Sequence, residues 1–280
     1  PYNSIRILAG CGIAAGISAS FNTPLAAMIF VMEVVLREYR IHVFVPIMLA
    51  STAGSIIATA VFGSNNDLHS LHMVTLSHWH LPYLILCGIA MGIVATFFNK
   101  SLMRMMKTFH NWHLSLRLGL AALLTIGIGY LVPEALGAET GAIHYAVAAP
   151  DQMGLLFAIF VAKFLLTVFA LGLGIPGGIV GPVFGIGIVM GTILAFMPSL
   201  LIGDYSTVGT YAVLGMAGMM AATIHAPLAA LVAVTELAAN PELVVPAILV
   251  ITASYVTAVQ FFNTKSIFLQ QLDFLQMPYR

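Results

Sequence analysis

Charge is what this 280-residue sequence has least of. Only 7% of its residues are Asp, Glu, Lys or Arg, 60% are hydrophobic, and the mean hydropathy is +1.02. Soluble domains carry about 25% charged residues, so that class is excluded and a polytopic integral membrane protein is expected. Ten basic and ten acidic residues cancel, which leaves no basic footprint for nucleic acid. Cysteine is nearly absent: Cys11 and Cys87 both lie in apolar runs, and neither a disulfide framework nor a CxxC site follows from them. Residues 1–6 lack the basic region and short apolar core of a cleavable signal. No nucleophile–base pair, phosphate loop or cofactor motif stands out, so neither enzymatic activity nor a cofactor is expected.

Against this background one stretch is conspicuous. Gly174-Ile175-Pro176-Gly177-Gly178-Ile179-Val180-Gly181-Pro182 interrupts a long apolar region. Four glycines and two prolines in nine residues cannot continue a helix. Apolar runs on both sides set the break at membrane depth, where irregular backbone must be buried in protein or line a watery cavity. A helix beginning just after Pro182 would aim free amides and the positive end of its dipole into that cavity, a site for an anion built from backbone. The residues alone leave a glycine hinge equally open.

Elsewhere the chain reads as helices. Ile7 to Ala19, with Gly10, Gly12 and Gly16, suits close helix packing. Asn22-Thr23-Pro24 breaks it before a second short helix, Leu25 to Val35, and each is expected to be too short to span alone. Val43 to Phe62, Leu81 to Phe98, Leu118 to Val132, Leu155 to Leu173 and Val183 to Met197 follow, then the short pair Val208 to Thr223 and Leu228 to Ala238, a span at Leu243 to Phe262, and a final tail. Arg37, Arg40, Lys100, Arg104, Lys107, Arg117 and Lys265 fall on one side, which the positive-inside rule makes cytoplasmic. Lys163 is the exception, a cation inside an apolar helix, and marks ion attraction, a snorkelling side chain or the lining of an outer vestibule.

The sequence also repeats itself. Gly12 to Ala27 matches Gly215 to Ala230 without a gap, with Val31 over Val234 and Glu33 over Glu236. The first copy runs toward Arg37 and Arg40, the second toward Asn240-Pro241-Glu242, so the copies lie in opposite orientations. That is an inverted repeat of the kind transporters use.

The repeat, the broken helices and the Gly174–Pro182 stretch together resemble the CLC family of chloride channels and chloride/proton antiporters, over essentially the whole chain. The resemblance implies an all-α membrane fold, an inverted-repeat bundle of tilted and partly broken helices working as a homodimer; a bacterial inner membrane is expected because no cytoplasmic regulatory domain is seen in the sequence. It divides the chain into residues 1–38, closing the first repeat; 39–117, spanning helices and a cytoplasmic linker; 118–264, the second repeat with its filter at 174–182; and a cytoplasmic helix or tail at 265–280. The backbone amides of Ile179, Val180 and Gly181 would contact chloride, framed by Gly174, Pro176, Gly177, Gly178 and Pro182. The family's serine filter and gating-glutamate motifs do not occur here, so the chain is expected to be a C-terminal portion needing an N-terminal half.

Two departures matter. Phe268 stands where the family has a tyrosine reaching the central ion, and a hydrogen bond of about 0.5–1.5 kcal/mol would be lost. Val34 follows Glu33 where coupled members often carry a second, proton-transferring glutamate. Valine carries no proton, so uncoupled chloride conduction is expected slightly ahead of chloride/proton exchange. Fluoride or nitrate transport and a non-conducting membrane module are the remaining readings. Glu33 and Glu236 are expected to cap neighbouring helix ends rather than move protons. His69, His72, His78 and His80, with Asp67, are read as a polar loop in preference to a Zn²⁺ site. Met216, Met219 and Met220 are read as packing.

Overall fold

A computed structural model describes residues 2–63, 74, 76, 80–136, 153–202 and 206–277. Asp67, His69, His72 and His78 lie outside them. The described residues form eleven α-helices: α1 (Tyr2–Phe21), α2 (Pro24–Phe30, continued by a π-helical turn, Val31–Leu36), α3 (Ile41–Phe62), α4 (Leu81–Phe109), α5 (Leu114–Leu131), α6 (Met153–Gly172), α7 (Val180–Ile202), α8 (Val208–Ile224), α9 (Pro227–Ala238), α10 (Val244–Val256, continued by a π-helical turn, Thr257–Phe261) and α11 (Ile267–Phe274). Seven helical stretches are long and apolar enough to cross a membrane, and the protein is an integral membrane protein.

Two sequence expectations change. The first helix is not short: it runs 20 residues, because Tyr2 to Arg6 continue it and Ser20-Phe21 extend it to the Asn22 break. Gly12 and Gly16 do not mediate close packing either, since a Cβ added to either would meet nothing within 4 Å. The close approaches lie elsewhere. A Cβ on Gly88 or Gly92 of α4 would come within 2.7 Å of the Val250 or Ser254 carbonyl oxygen, and Gly187 of α7 would press on Gly215 of α8. Small residues one turn apart let these backbones touch, the usual device where no water drives helices together. Every residue of α8 is buried, so α8 is the axis around which α4, α7, α9 and α10 pack. Met216, Met219 and Met220 sit in that core, as packing residues should.

The inverted repeat is visible in the backbone. Asn22 between α1 and α2, and His225 between α8 and α9, both adopt left-handed conformation (φ 52 and 63). The next residues, Thr23 (φ −126, ψ 73) and Ala226 (φ −122, ψ 64), superpose in dihedral space, and each precedes a proline at the first helical position, where a missing amide costs nothing. The two copies then exchange caps. Glu33 accepts the amides of Leu228 (3.1 Å) and Ala229 (2.8 Å) at the start of α9, while Glu236 accepts those of Leu25 (2.8 Å) and Ala26 (2.7 Å) at the start of α2. Each helix lacks a side-chain cap of its own, so a carboxylate from the other repeat supplies it. The copies diverge after the glutamates. The π-turn at Val31–Leu36 delays the left-handed exit to Arg37, whereas the α-helical second copy exits at Ala239, one residue earlier in register.

Candidate functional site

The glycine break is a built structure rather than a loose hinge. α6 closes in a Schellman turn: Ile175 N donates to Ala170 O (2.9 Å) and Gly174 N to Leu171 O (3.1 Å), with Gly174 left-handed at φ 92. Only glycine takes that conformation freely. The last carbonyl, Leu173 O, accepts a hydrogen bond from Arg117 Nε (2.8 Å). Arg117 at the start of α5 thus pins the exit of α6. The sequence marks Arg117 only as an inner-surface cation, and with so many residues between the partners no local pattern signals the clamp.

From Ile175 the chain turns back alongside α6 and enters α7 at Val180. The sequence placed this start after Pro182; the helix begins earlier because proline is tolerated within a first turn, whose amides are unpaired in any case. The first bond across the start is Val183 N to Ile179 O (3.1 Å). The amides of Ile179, Val180 and Gly181 make no hydrogen bond among the described residues. Ile179 is buried, while Val180 and Gly181 are half-buried. Three free donors at the positive end of a 23-residue helix suit an anion that must bind weakly enough to leave.

Lys163 belongs to this region. It is only 8% exposed, and its Nζ donates to Ala135 O (3.3 Å) in the 3₁₀ turn Pro133–Leu136. It lines a cavity of about 340 Å³ with Thr125, Thr167, Ile175, Gly177, Gly178 and Pro182. Its ammonium reaches the Pro133–Leu136 turn, while the side chain shares the cavity with the break. A Cβ at Gly178 would meet nothing within 4 Å, so the backbone there is open.

Phe268 is not brought into that cavity. It stands on α11 beside a second hollow of about 350 Å³, lined by Val34, Leu36, Arg6, Arg37 and Leu272. The two departures from the family pattern, Phe268 and Val34, therefore line the same hollow at the end where the basic residues gather. There Arg6 donates to Leu36 O (3.2 Å) and Lys265 pairs with Asp273 (2.8 Å). Glu33 and Glu236 occupy neither hollow; they are the exchanged caps. No metal-ligand cluster occurs among the described residues.

Comparison with known proteins agrees in sequence and in fold. The family model described as voltage gated chloride channel matches residues 2–259. The H(+)/Cl(-) exchange transporters ClcA of Salmonella agona and Salmonella arizonae are each 32% identical over 273 residues, 93% of this chain and 57% of theirs. The chain therefore spans a little over half the length of these curated relatives. Among solved structures, a slow cyanobacterial Cl−/H+ antiporter has a TM-score of 0.85 at 24% identity, over 96% of this chain and 64% of its own. A CLC-type fluoride/proton antiporter has a TM-score of 0.72 at 23% identity, over 93% of this chain and 64% of its own. These two likenesses carry the fold. The fold is all-α, and this chain belongs to the voltage-gated chloride channel (CLC) family.

Proposed function

We propose that this chain forms the second-filter portion of a chloride/proton exchanger. The observation that carries the anion site is the set of unpaired amides at Ile179, Val180 and Gly181, with the Lys163 ammonium in the adjoining cavity. The names of the ClcA relatives favour exchange and move the reading away from the uncoupled channel that Val34 suggested. In this reading chloride is the transported ion, no cofactor takes part, and the function is transport rather than catalysis. Residues 118–264 hold the second inverted half, and the serine and gating motifs come from an N-terminal half of the subunit. A second copy of the chain packs on the α2/α9 face, where Ile29, Met32, Phe44, Leu228 and Leu231 line an apolar hollow of about 460 Å³. The membrane is a bacterial inner membrane. Free amides without a cation at their centre bind chloride reversibly, and the buried lysine raises the local anion concentration without closing on the ion.

Val180→Pro tests the site cleanly. Proline is favoured at the first helical position, so the helix stays while one donor is removed. A hydrogen bond to a charged acceptor is worth about 1.5–3 kcal/mol, so chloride affinity of the full-length protein should fall about tenfold or more. Calorimetric chloride titration reads this. Unchanged affinity in a folded variant refutes the amide site.

A further inference from the structure

The break between α8 and α9 holds a titratable group that the anion site does not use. His225 is half-buried, and of its two ring nitrogens only Nε2 is sealed from solvent without a hydrogen-bond partner. Nδ1 is not sealed in this way. Two further sealed, unpartnered atoms belong to the same break: Thr223 Oγ1, and Oδ1 of Asn99, whose Nδ2 donates to Thr223 O (3.1 Å). Buried polar atoms are almost always paired, with protein or with ordered water. These three atoms belong to residues at or bonded to this break, and ordered water is the partner that would satisfy them.

The break faces the end of the bundle where the basic residues gather. Ser266 Oγ at the start of α11 donates to Ile224 O (2.7 Å). The charged and titratable groups around the ring come from several elements. Arg37, at the exit of the first repeat, acts on it electrostatically. Glu33 sits on the α9 amides, and Tyr255 of α10 meets the imidazole edge to face at 5.4 Å. Lys265, just before α11, and Asp273 on it pair with one another, and on α4 Lys100 lies over the Phe262 ring. Val34, one residue beyond Glu33, cannot carry a proton at all.

We propose that His225 is the inner proton-transfer residue of this chain, working through water held between Nε2, Thr223 and Asn99. The proposal rests on the exchange reading above. An imidazole with its hydrogen on Nε2 takes a proton from the inner solution at Nδ1. The imidazolium then releases its Nε2 proton to the sealed water, so one proton enters and one leaves. Reorientation of the ring then brings Nε2 to the inner solution and the protonated Nδ1 to the sealed water; a second proton enters at Nε2 and the Nδ1 proton leaves, and the ring turns back in its starting tautomer. Arg37 opposes lasting charge on the ring and keeps the proton from being trapped there. Histidine's free pKa lies near physiological pH; here burial first and Arg37 second hold the ring below that value, so it binds the proton only briefly.

The test uses the full-length protein in liposomes, with chloride and proton fluxes recorded together for wild type, His225→Asn and His225→Gln. Asparagine is the residue at the matching break of the first repeat and accepts left-handed backbone. Both variants should keep chloride flux while protons moved per chloride fall at least about tenfold. A variant that transports chloride with wild-type coupling overturns the proposal and leaves the exchange reading intact. Wild-type chloride flux with no proton movement overturns both. If neither variant assembles, the wild type decides alone: coupled proton flux must fall as inner pH rises, with its midpoint below histidine's free value because burial and then Arg37 disfavour the charged ring, and a flat profile refutes a histidine carrier.

Discussion

The exchanged glutamate caps give the fold a quantitative test. Glu236→Gln keeps the side-chain length and one acceptor oxygen, but it turns an amide NH₂ toward one of the two N–H groups of Leu25 and Ala26. One charge-assisted hydrogen bond is lost, at about 1.5–3 kcal/mol. The favourable meeting of a negative charge with the helix end goes too, at about 0.3–1 kcal/mol. The expected destabilisation is therefore about 2–4 kcal/mol. Glu33→Gln should cost a similar amount at Leu228 and Ala229, somewhat less because its bonds are longer, 3.1 and 2.8 Å against 2.8 and 2.7 Å. Equilibrium unfolding in mixed detergents, followed by circular dichroism, measures both. A loss below about 0.5 kcal/mol in either variant would refute the cap-exchange account. A Glu33→Gln protein of unchanged stability that moved chloride without protons would instead make Glu33 a proton carrier.

Two further outcomes follow from the glycine break. Gly174→Ala should lower thermal stability, by about 1–2 kcal/mol for the left-handed backbone alone and more because the added Cβ meets the Arg117 guanidinium; a melting temperature equal to wild type would dismiss the clamp. Lys163→Met should reduce chloride flux at low salt more than at high salt, because an electrostatic contribution is screened by added ions, whereas Lys163→Arg should retain it. An equal reduction at both ionic strengths would make the lysine a packing residue.

The sequence alone determined the membrane class, the helix breaks and the inverted repeat. Those features are local. Apolar length decides what can span, proline and glycine decide where a helix must stop, and a gap-free match from Gly12 to Ala27 onto Gly215 to Ala230 needs no coordinates. It also isolated Lys163, because a lone cation in an apolar run is legible by contrast. Helix ends were less secure. The start of α7 came out two or three residues late, since a proline in a first turn looks the same in sequence as one before it. Gly12 and Gly16 were read as packing glycines, although only the surrounding helices decide which glycines are pressed.

Tertiary structure alone decided which carboxylate serves which helix, that Arg117 pins the far end of α6, and that Lys163 opens onto the same cavity as Gly177 and Gly178 while Phe268 shares a different hollow with Val34. Each of these joins residues far apart in the chain. Their energies arise from burial and from hydrogen bonds across helices, and no periodicity records such pairings.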